Sequence, residues 1–163
     1  INVRGPFGKL KYLGDGNFDQ LVKFKPRTVV RKNFKHILML AGGSGITPFY
    51  QVILAAFNNE DKIKVTLLFG NRTTKDFLLK KELDEIESSK KMNIKVVWTI
   101  DTPEEGWNGE VGFINKDMLT KYCDDISSEG TFVLTCGPPP MCDALKKLLI
   151  QNMGVKEENY FTF

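Results

Sequence analysis

Histidine is nearly absent from this sequence, and cysteine is scarce. The 163 residues include one histidine, His36, and three cysteines, Cys123, Cys136 and Cys142. The cysteines are odd in number and lack the paired spacing of zinc ligands, so the sequence predicts no metal site and reduced thiols in a cytosol-facing compartment. A Ser-His-Asp set, a P-loop and paired catalytic carboxylates are also missing, and His36 is more simply interpreted as structural than as catalytic.

A large charge excess and long hydrophobic runs are lacking too. The 23 basic and 20 acidic residues leave a formal net charge of +3, which does not indicate a nucleic-acid partner. No apolar run approaches the roughly 20 residues that a membrane-spanning helix needs, and no signal peptide is recognisable. A hydrophobic content of 42% is sufficient for a globular core. We therefore expect a cytoplasmic globular domain.

The first 35 residues differ in pattern from the rest. Residues 1–13 follow the pattern strand, turn, strand, which we interpret as the terminal hairpin of a preceding β domain. Residues 14–35 are interpreted as a connector, rich in lysine and arginine, which is either a solvated linker or a docking edge for an acidic partner. Because the chain begins at Ile1 within a β-like segment, we expect it to be a fragment of a longer polypeptide.

From His36 onward, apolar runs of strand length alternate with helical stretches. This alternation predicts βαβ units, and hence a doubly wound α/β domain with a five-stranded parallel sheet over residues 36–163. The nearly continuous apolar strands are typical of a sheet covered on both faces. The predicted strands are Ile37–Ala41, Lys64–Phe69, Ile94–Ile100, Thr131–Cys136 and Tyr160–Phe163; the predicted helices are Pro48–Phe57, Asp76–Ser89, Asn115–Tyr122 and Pro139–Met153.

Local signals place the ends of three helices. Pro48 is predicted to be the first residue of the first helix, where a missing N–H is tolerated. Thr73 and Asp76 have capping-box spacing and predict the start of the second helix, with Phe77, Leu79, Leu83 and Ile86 on its buried face. Gly154 is predicted to end the last helix.

A glycine-rich turn follows the first strand of this domain. Its sequence is Ala41-Gly42-Gly43-Ser44-Gly45-Ile46-Thr47-Pro48, in which proline takes the third place of a G-x-G-x-x-G pattern. Glycines allow a backbone to approach a phosphate closely, and a helix N-terminus attracts the pyrophosphate of a dinucleotide. Alone the pattern is weak, but it lies between a predicted strand and a predicted helix, as the motif requires. Thr47 is either the helix N-cap or a cofactor contact, and the two roles are compatible.

A second turn, Cys136-Gly137-Pro138-Pro139-Pro140-Met141, follows the fourth strand. Three consecutive prolines fix φ and exclude this stretch from any strand. In a sheet of order 3-2-1-4-5, the first and fourth strands are neighbours, so the two turns would face each other across one ligand crevice. Cys136 could equally be a small buried residue at a strand end, which is the commoner fate of a free cysteine.

A third candidate region follows the second and third strands. Asp101 ends the third strand and could accept hydrogen bonds from ribose hydroxyls while repelling a 2′-phosphate, and Phe113 could cover adenine. Arg72 acts in the opposite direction, because its guanidinium suits a 2′-phosphate. The residues alone therefore leave the choice between NADH and NADPH open.

Motifs in order along the whole chain resemble those of the NADH–cytochrome b5 reductases, and the closely similar flavin domain of nitrate reductases shares them. The Cys-Gly-Pro-Pro-Pro-Met turn is the most specific. The motifs are Val3-Arg4-Gly5-Pro6-x-Gly8, Ala41–Pro48, Leu68-Phe69-x-Asn71, Lys75-Asp76, Thr99-Ile100-Asp101, Gly112-Phe113, Cys136–Met141 and Phe163.

The resemblance implies a β-barrel FAD domain, of which residues 1–13 would be the last hairpin, followed by a Rossmann-like NADH domain. Hydride would pass from NADH to FAD, which would be bound mainly by the missing N-terminal domain, and electrons would pass to cytochrome b5 or a similar haem protein. A membrane contact would come only through an absent N-terminal anchor, leaving this part on the cytosolic face. The implied cofactor-binding residues are Gly42, Gly43, Ser44, Gly45, Thr47, Pro48, Asn71, Arg72, Asp101, Phe113, Gly137, Pro138, Pro139 and Met141, and the implied catalytic residue is Cys136, beside the nicotinamide.

The sequence departs from the family pattern in three respects. The flavin-binding Arg-x-Tyr-Ser/Thr and Gly-x-x-Ser motifs are absent, Ser44 replaces a threonine, and Arg72 stands where glutamine is common. This fragment alone is therefore expected to be inactive. Two alternatives remain: the flavin and NADH part of a nitrate reductase, and a non-catalytic NAD(H)-binding module.

Overall fold

A computed structural model describes residues 8–24 and 26–163, and the strand and turn expected over residues 1–7 lie outside them. An antiparallel sheet contains β1 (Leu10–Gly14), β2 (Asn17–Phe24) and β3 (Arg27–Asn33). The remaining elements are β4 (His36–Gly42), α1 (Ile46–Asn58), β5 (Lys64–Asn71), α2 (Lys80–Ser89), β6 (Asn93–Ile100), β7 (Glu110–Val111), α3 (Lys116–Tyr122), β8 (Thr131–Cys136), α4 (Pro139–Lys147) and β9 (Tyr160–Thr162).

The second sheet is parallel throughout, with the order β7-β6-β5-β4-β8-β9. This confirms the predicted doubly wound architecture, and the five predicted strands are arranged in the order 3-2-1-4-5 that would place the two turns side by side. The two-residue strand β7 is an addition at the edge, where Glu110 and Val111 pair with Thr99 and Ile100. So short a strand has no sequence pattern of its own.

The parallel sheet carries the core on both faces. All seven residues of the central strand β4 are buried. Its alternate residues Ile37 and Met39 pack in one cluster with side chains of α1 and α2, whereas Leu38 and Leu40 pack in the other with α3 and α4. Because burying one such aliphatic side chain contributes about 1.5–3 kcal/mol, this double coverage holds β4 and its neighbours rigidly in place.

Residues 14–35 are not a connector, because most of them form β2 and β3. Phe18 on β2 is only 1% exposed and packs its ring 5.1 Å from that of Phe132 on β8. Phe34, directly after β3, stacks on the same Phe132 ring at 4.4 Å. The lysines and arginines that interrupt the apolar residues of β2 and β3 obscured these strands in the sequence. Assigning residues 1–13 to a separate flavin domain stays a prediction.

Two helices begin elsewhere than predicted. The first, α1, begins at Ile46, so that Pro48 is its third residue, and Gly45 rather than Thr47 is the N-cap. The Thr73–Asp76 capping box forms, with the Thr73 N–H donating to Asp76 Oδ2 at 3.0 Å, but it closes a separate 3₁₀ turn. The helix α2 starts only at Lys80, because Leu79 adopts a left-handed conformation (φ 56°).

The last helix continues from α4 through a π-helical turn, Leu148–Asn152, and Gly154 follows with φ +73°. The N–H of Val155 donates to the Leu149 carbonyl at 3.0 Å, which is the kind of closing bond that a left-handed glycine permits. The predicted end at Gly154 is thus confirmed. Among the helices of the described residues, none is long and apolar enough to cross a membrane.

Candidate functional site

The two glycine-containing turns lie side by side at the carboxyl edge of the parallel sheet. Strands β4 and β8 are hydrogen-bonded neighbours, with Ala41 opposite Cys136. The first turn begins at Gly42, the last residue of β4, and the second begins at Cys136, the last residue of β8. The adjacency predicted from the strand order is therefore confirmed.

The turns are in direct contact rather than separated by a crevice. A Cβ atom on Gly45 would lie 2.1 Å from the carbonyl oxygen of Cys136. One on Gly42 would lie 2.5 Å from Met141 Sδ, and one on Gly137 would lie 3.1 Å from the Gly42 nitrogen. Gly45 is thus required by the backbone contact between the two turns, whereas Gly42 and Gly137 are tightly packed against Met141 and against each other.

Gly43 has a different role. It adopts φ +55°, and a Cβ built on it would meet no atom within 4 Å. The turn Gly43–Gly45 is a 3₁₀ turn that runs directly into α1, so the first N–H groups have no acceptor within the helix. No acidic residue lies in the first turn of α1. The open backbone at Gly43, the N-terminus of α1 and the lack of an acidic residue in its first turn favour an anionic ligand such as a pyrophosphate.

Two hydroxyls border this turn. Ser44 and Thr47 are both exposed, and Thr47 Oγ1 donates to the Ser44 carbonyl at 3.0 Å. This bond uses the Thr47 proton and leaves its oxygen lone pairs available as acceptors at the surface. Pro48 is half-buried beside them.

Cys136 lies half-buried at the end of β8. Burial, with a smaller contribution from Cys142, raises the pKa of the Cys136 thiol. The thiol is therefore neutral at physiological pH, which favours a packing and positioning role over nucleophilic attack. Pro138 is extended, whereas Pro139 begins α4, so the proline run both ends the strand and starts the helix.

The remaining predicted residues gather along the same edge, after β5, β6 and β7. The N–H of Asp101 donates to the Asn71 carbonyl at 3.0 Å, and the N–H of Thr102 donates to the Arg72 carbonyl at 3.3 Å. Thr99 Oγ1 donates to the Gly112 carbonyl at 2.6 Å, which holds the start of the Phe113 segment against β6. The sheet thus brings four predicted residues to one edge, although they are as many as 42 positions apart in sequence (113 − 71). They are Asn71, Arg72, Asp101 and Phe113.

Asn71 contains the unpaired polar group of this edge. Asn71 is 8% exposed. Among the buried side-chain nitrogen and oxygen atoms of the described residues, its Nδ2 alone lacks a hydrogen-bond partner. Leaving such a donor unpaired costs about 1–3 kcal/mol, so a ligand that accepts from it would recover that free energy. Phe113, by contrast, is 79% exposed, an unusual state for so large an apolar ring.

Two hydrogen bonds between Thr74 and Glu104 hold two loops of this edge together, and the sequence did not predict them; we call this contact the Thr74–Glu104 clamp. Glu104 accepts from the N–H of Thr74 at 3.0 Å and from its hydroxyl at 2.6 Å. These bonds lower the pKa of Glu104 and tie the loop after β6 to the loop after β5. The ring of Phe77 stacks on Trp107 in the same place, with centroids 5.9 Å apart. No local pattern indicated the clamp, because Thr74 and Glu104 are 30 residues apart.

A cavity of about 460 Å³ lies beside this edge, against β6, and is lined in part by Trp98, Trp107 and Tyr122. None of the predicted site residues lines it. The candidate site is accordingly an open surface along the strand ends. The N-terminus of α1, the unpaired Asn71 amide and the open position beside Gly43 fit an extended dinucleotide.

Comparisons with known proteins agree with this arrangement. The family described as "Oxidoreductase NAD-binding domain" matches residues 39–147. The chain is 38% identical to NADH-cytochrome b5 reductase 2 of Danio rerio over 164 residues, which is 100% of this chain and 52% of that protein. It is 41% identical to inducible nitrate reductase [NADH] 1 of Glycine max over 162 residues, 98% of this chain and 17% of that protein.

A solved structure is similar over nearly the whole chain. The cytochrome b5 reductase domain of Ulva prolifera nitrate reductase superposes with a TM-score of 0.85 at 33% identity, covering 98% of this chain and 59% of that one. The chain therefore spans about half the length of the reductase that it matches and a smaller part of the nitrate reductase.

Proposed function

The chain belongs to the oxidoreductase NAD-binding domain family, and from this we propose that it is the part of a flavin-dependent reductase that binds NADH and presents its nicotinamide to FAD. The observation that carries the proposal is the carboxyl edge of the sheet. The two glycine-containing turns are in direct contact there, and the buried Asn71 amide lacks a hydrogen-bond partner among the described residues.

NADH, when bound, supplies a hydride, and FAD supplies the acceptor from which electrons leave singly. The chain's own residues bind and orient. The N–H groups of Gly43, Ser44 and Gly45 would receive the pyrophosphate, with Gly42 and Pro48 fixing the turn. The neutral thiol of Cys136, supported by Gly137, Pro138, Pro139 and Met141, would pack against the nicotinamide and set its distance from the flavin. Thr47 would face the flavin with its free lone pairs.

The adenosine half would lie along the ends of β5, β6 and β7. Asp101 would accept hydrogen bonds from the ribose hydroxyls and repel a 2′-phosphate, and Phe113 would cover the adenine ring. Asn71 would donate its unpaired Nδ2–H, and Arg72 would border the pocket. This arrangement favours NADH, because Asp101 carries a negative charge where NADPH carries its extra phosphate.

We further propose that the intact protein holds FAD mainly through residues outside those described, and passes electrons to cytochrome b5 or a similar haem protein at the cytosolic face of a membrane or in the cytoplasm. The 41% identity to a nitrate reductase supports a second candidate, the reductase part of such an enzyme. The length of the full gene product separates the two, because a nitrate reductase has far more chain outside the matched part.

Stopped-flow reduction of the flavin in the intact protein tests the proposal. We expect NADH to bleach the flavin at least tenfold faster than NADPH does. The variant Cys136→Ser should slow bleaching much more than it weakens NAD⁺ binding, because hydride transfer depends on geometry. Lack of any NADH-dependent bleaching would refute the reductase assignment. A loss of NAD⁺ affinity with an unchanged bleaching rate would refute the role of Cys136.

A further inference from the structure

A cluster of three potential metal ligands lies at the amino edge of the parallel sheet, opposite the proposed nucleotide site. His36 begins β4, Cys123 directly follows α3, and Asp125 lies in the loop between α3 and β8. Strand β4 spans the seven residues from His36 to Gly42, so the two edges are roughly 20 Å apart. Nothing in the proposed reductase mechanism uses these three side chains.

The three ligand atoms face one another. His36 Nδ1 is 2.8 Å from Asp125 Oδ1, Cys123 Sγ is 3.6 Å from that same oxygen, and Sγ is 3.9 Å from Nδ1. Tetrahedral zinc has bonds of about 2.3 Å to sulfur and about 2.0–2.1 Å to nitrogen and oxygen, so its ligand atoms lie roughly 3.3–3.6 Å apart. The observed triangle departs from that geometry by about half an ångström at most along any side, a change that side-chain rotation can supply.

The surroundings orient the imidazole for this role. His36 Nε2 is 2.9 Å from Thr66 Oγ1 on β5, and a hydroxyl can accept from Nε2–H as readily as it can donate to it. Such a bond leaves the Nδ1 lone pair directed at Cys123 and Asp125, as in histidines that bind metals. His36 and Cys123 are each 2% exposed, whereas the Asp125 side chain is 44% exposed, which provides a route of entry from solvent.

We propose that His36 Nδ1, Cys123 Sγ and Asp125 Oδ1 form a site for a borderline divalent cation, with Zn²⁺ the best match to one thiolate, one imidazole and one carboxylate. The fourth position faces solvent through Asp125 and is completed by water. A bound ion ties the α3–β8 loop to the central strand and raises the thermal stability of the fold. Nucleotide affinity at the distant carboxyl edge is unchanged.

The neighbouring positive charge of Lys64 disfavours binding of a cation and provides a further test of the proposal. Lys64 Nζ lies 3.7 Å from Asp125 Oδ1, and its side chain is 40% exposed. Its ammonium repels a cation held by Asp125 and competes for that carboxylate. The neutral variant Lys64→Gln should therefore bind the ion more tightly than the natural chain does.

Cobalt is a spectroscopic probe for such a zinc site, because a thiolate bound to Co²⁺ gives a charge-transfer absorption band. We titrate the chelator-treated intact protein with Co²⁺ and then displace the Co²⁺ with Zn²⁺. One equivalent per chain should produce the band, and Zn²⁺ should remove it. Cys123→Ser should abolish the band and weaken Zn²⁺ binding at least tenfold, and Lys64→Gln should strengthen binding about threefold or more.

Cys142→Ser is the matched control, because Cys142 is also a buried free thiol but lies in α4, outside the cluster. It should retain the band and the affinity. Asp125→Asn, in a partly exposed loop, should weaken binding at least tenfold and keeps the test decisive if Cys123→Ser does not fold. The proposal is overturned if the natural chain shows no charge-transfer band, if Asp125→Asn binds as tightly as the natural chain, or if Cys142→Ser loses the band.

Discussion

The two edges of the parallel sheet differ in whether their buried polar groups have hydrogen-bond partners. At the amino edge, His36 has partners for both ring nitrogens, in Asp125 and Thr66, and the Thr131 hydroxyl donates to the Asp125 carbonyl at 2.8 Å. At the carboxyl edge, the Asn71 Nδ2 has no partner among the described residues. Both edges belong to the same strands, so the difference does not arise from the sheet. The unpaired amide therefore leaves the carboxyl edge with a donor that a nucleotide can satisfy.

The two edges also differ in how closely the backbone of neighbouring turns is packed. At the carboxyl edge, glycines allow the turns after β4 and β8 to touch. At the amino edge, a Cβ on Gly130, which directly precedes β8, would meet only Ser128 Oγ at an ordinary 3.7 Å. A side chain is therefore excluded at Gly45 on the carboxyl edge, whereas Gly130 on the amino edge has room for one.

The largest expected effect is that of Gly45→Ala. The added methyl group would lie 2.1 Å from the Cys136 carbonyl oxygen, which belongs to backbone and cannot rotate away. We expect the free energy of unfolding to fall by about 3 kcal/mol, and NADH binding to be lost because the turns separate. Urea unfolding and nucleotide titration measure the two effects. The matched variant Gly130→Ala should change neither by much, and equal effects of the two variants would contradict the proposed contact.

His36→Ala should cause the next largest change, and only in stability. It leaves Thr66 and Asp125 without their partner and opens a cavity, so we expect a loss of about 2 kcal/mol in the free energy of unfolding, measured without metal. NADH affinity should be unchanged. His36→Asn, whose amide can replace one of the two hydrogen bonds, should recover part of the loss. A decrease in NADH affinity for a well-folded His36→Ala protein would show that the edges are not independent.

Asn71→Leu tests the unpaired amide directly. Because Nδ2 has no partner to lose, the free energy of unfolding should stay the same or rise by up to about 1 kcal/mol, while NADH affinity falls about tenfold. Asn159 is the control, since it is also 8% exposed but lies directly before β9, on the amino edge. Asn159→Leu should reduce stability by about 1 kcal/mol and leave NADH affinity intact. The reverse pattern would remove Asn71 from the nucleotide site.

The smallest expected effect concerns selectivity. In the intact protein, Asp101→Ser should narrow the preference for NADH over NADPH by roughly tenfold, about 1.4 kcal/mol, because a carboxylate no longer faces the 2′-phosphate. Steady-state kcat/KM for the two nucleotides measures the change. Arg72→Gln should shift the preference the other way. An unchanged ratio in Asp101→Ser would exclude Asp101 from the ribose site.

The parts of the fold predicted correctly are those with strong local patterns. The continuous apolar runs predicted the five buried strands, and Gly154 predicted the end of the last helix. Strands β2 and β3 were missed because basic residues interrupt their apolar pattern, although Phe18 of β2 lies in the core, as does Phe34 just beyond β3. The start of α2 was misplaced because its capping box closes a separate 3₁₀ turn and Leu79 is left-handed.

The candidate site, like the fold, was predicted only in part. Its members could be proposed from the sequence, since each directly follows a predicted strand or belongs to a recognisable motif. Their roles could not: Gly45 was assigned to phosphate approach, yet its immediate function is contact with Cys136. The Thr74–Glu104 clamp and the unpaired Asn71 amide depend on distances between side chains that no spacing along the chain encodes.

The sequence by itself determined the parallel sheet and placed the glycine turns at the ends of its strands, because alternating apolar runs and glycine turns act locally and parallel strands end together. It predicted no metal site, since the three cysteines lack metal-ligand spacing and His36 is the single histidine. Only the tertiary structure decided that β4 and the loop after α3 meet, placing those three ligand atoms within 4.8 Å of one another. That proximity arises from packing α3 against the sheet, a long-range consequence of burying apolar surface rather than of any motif.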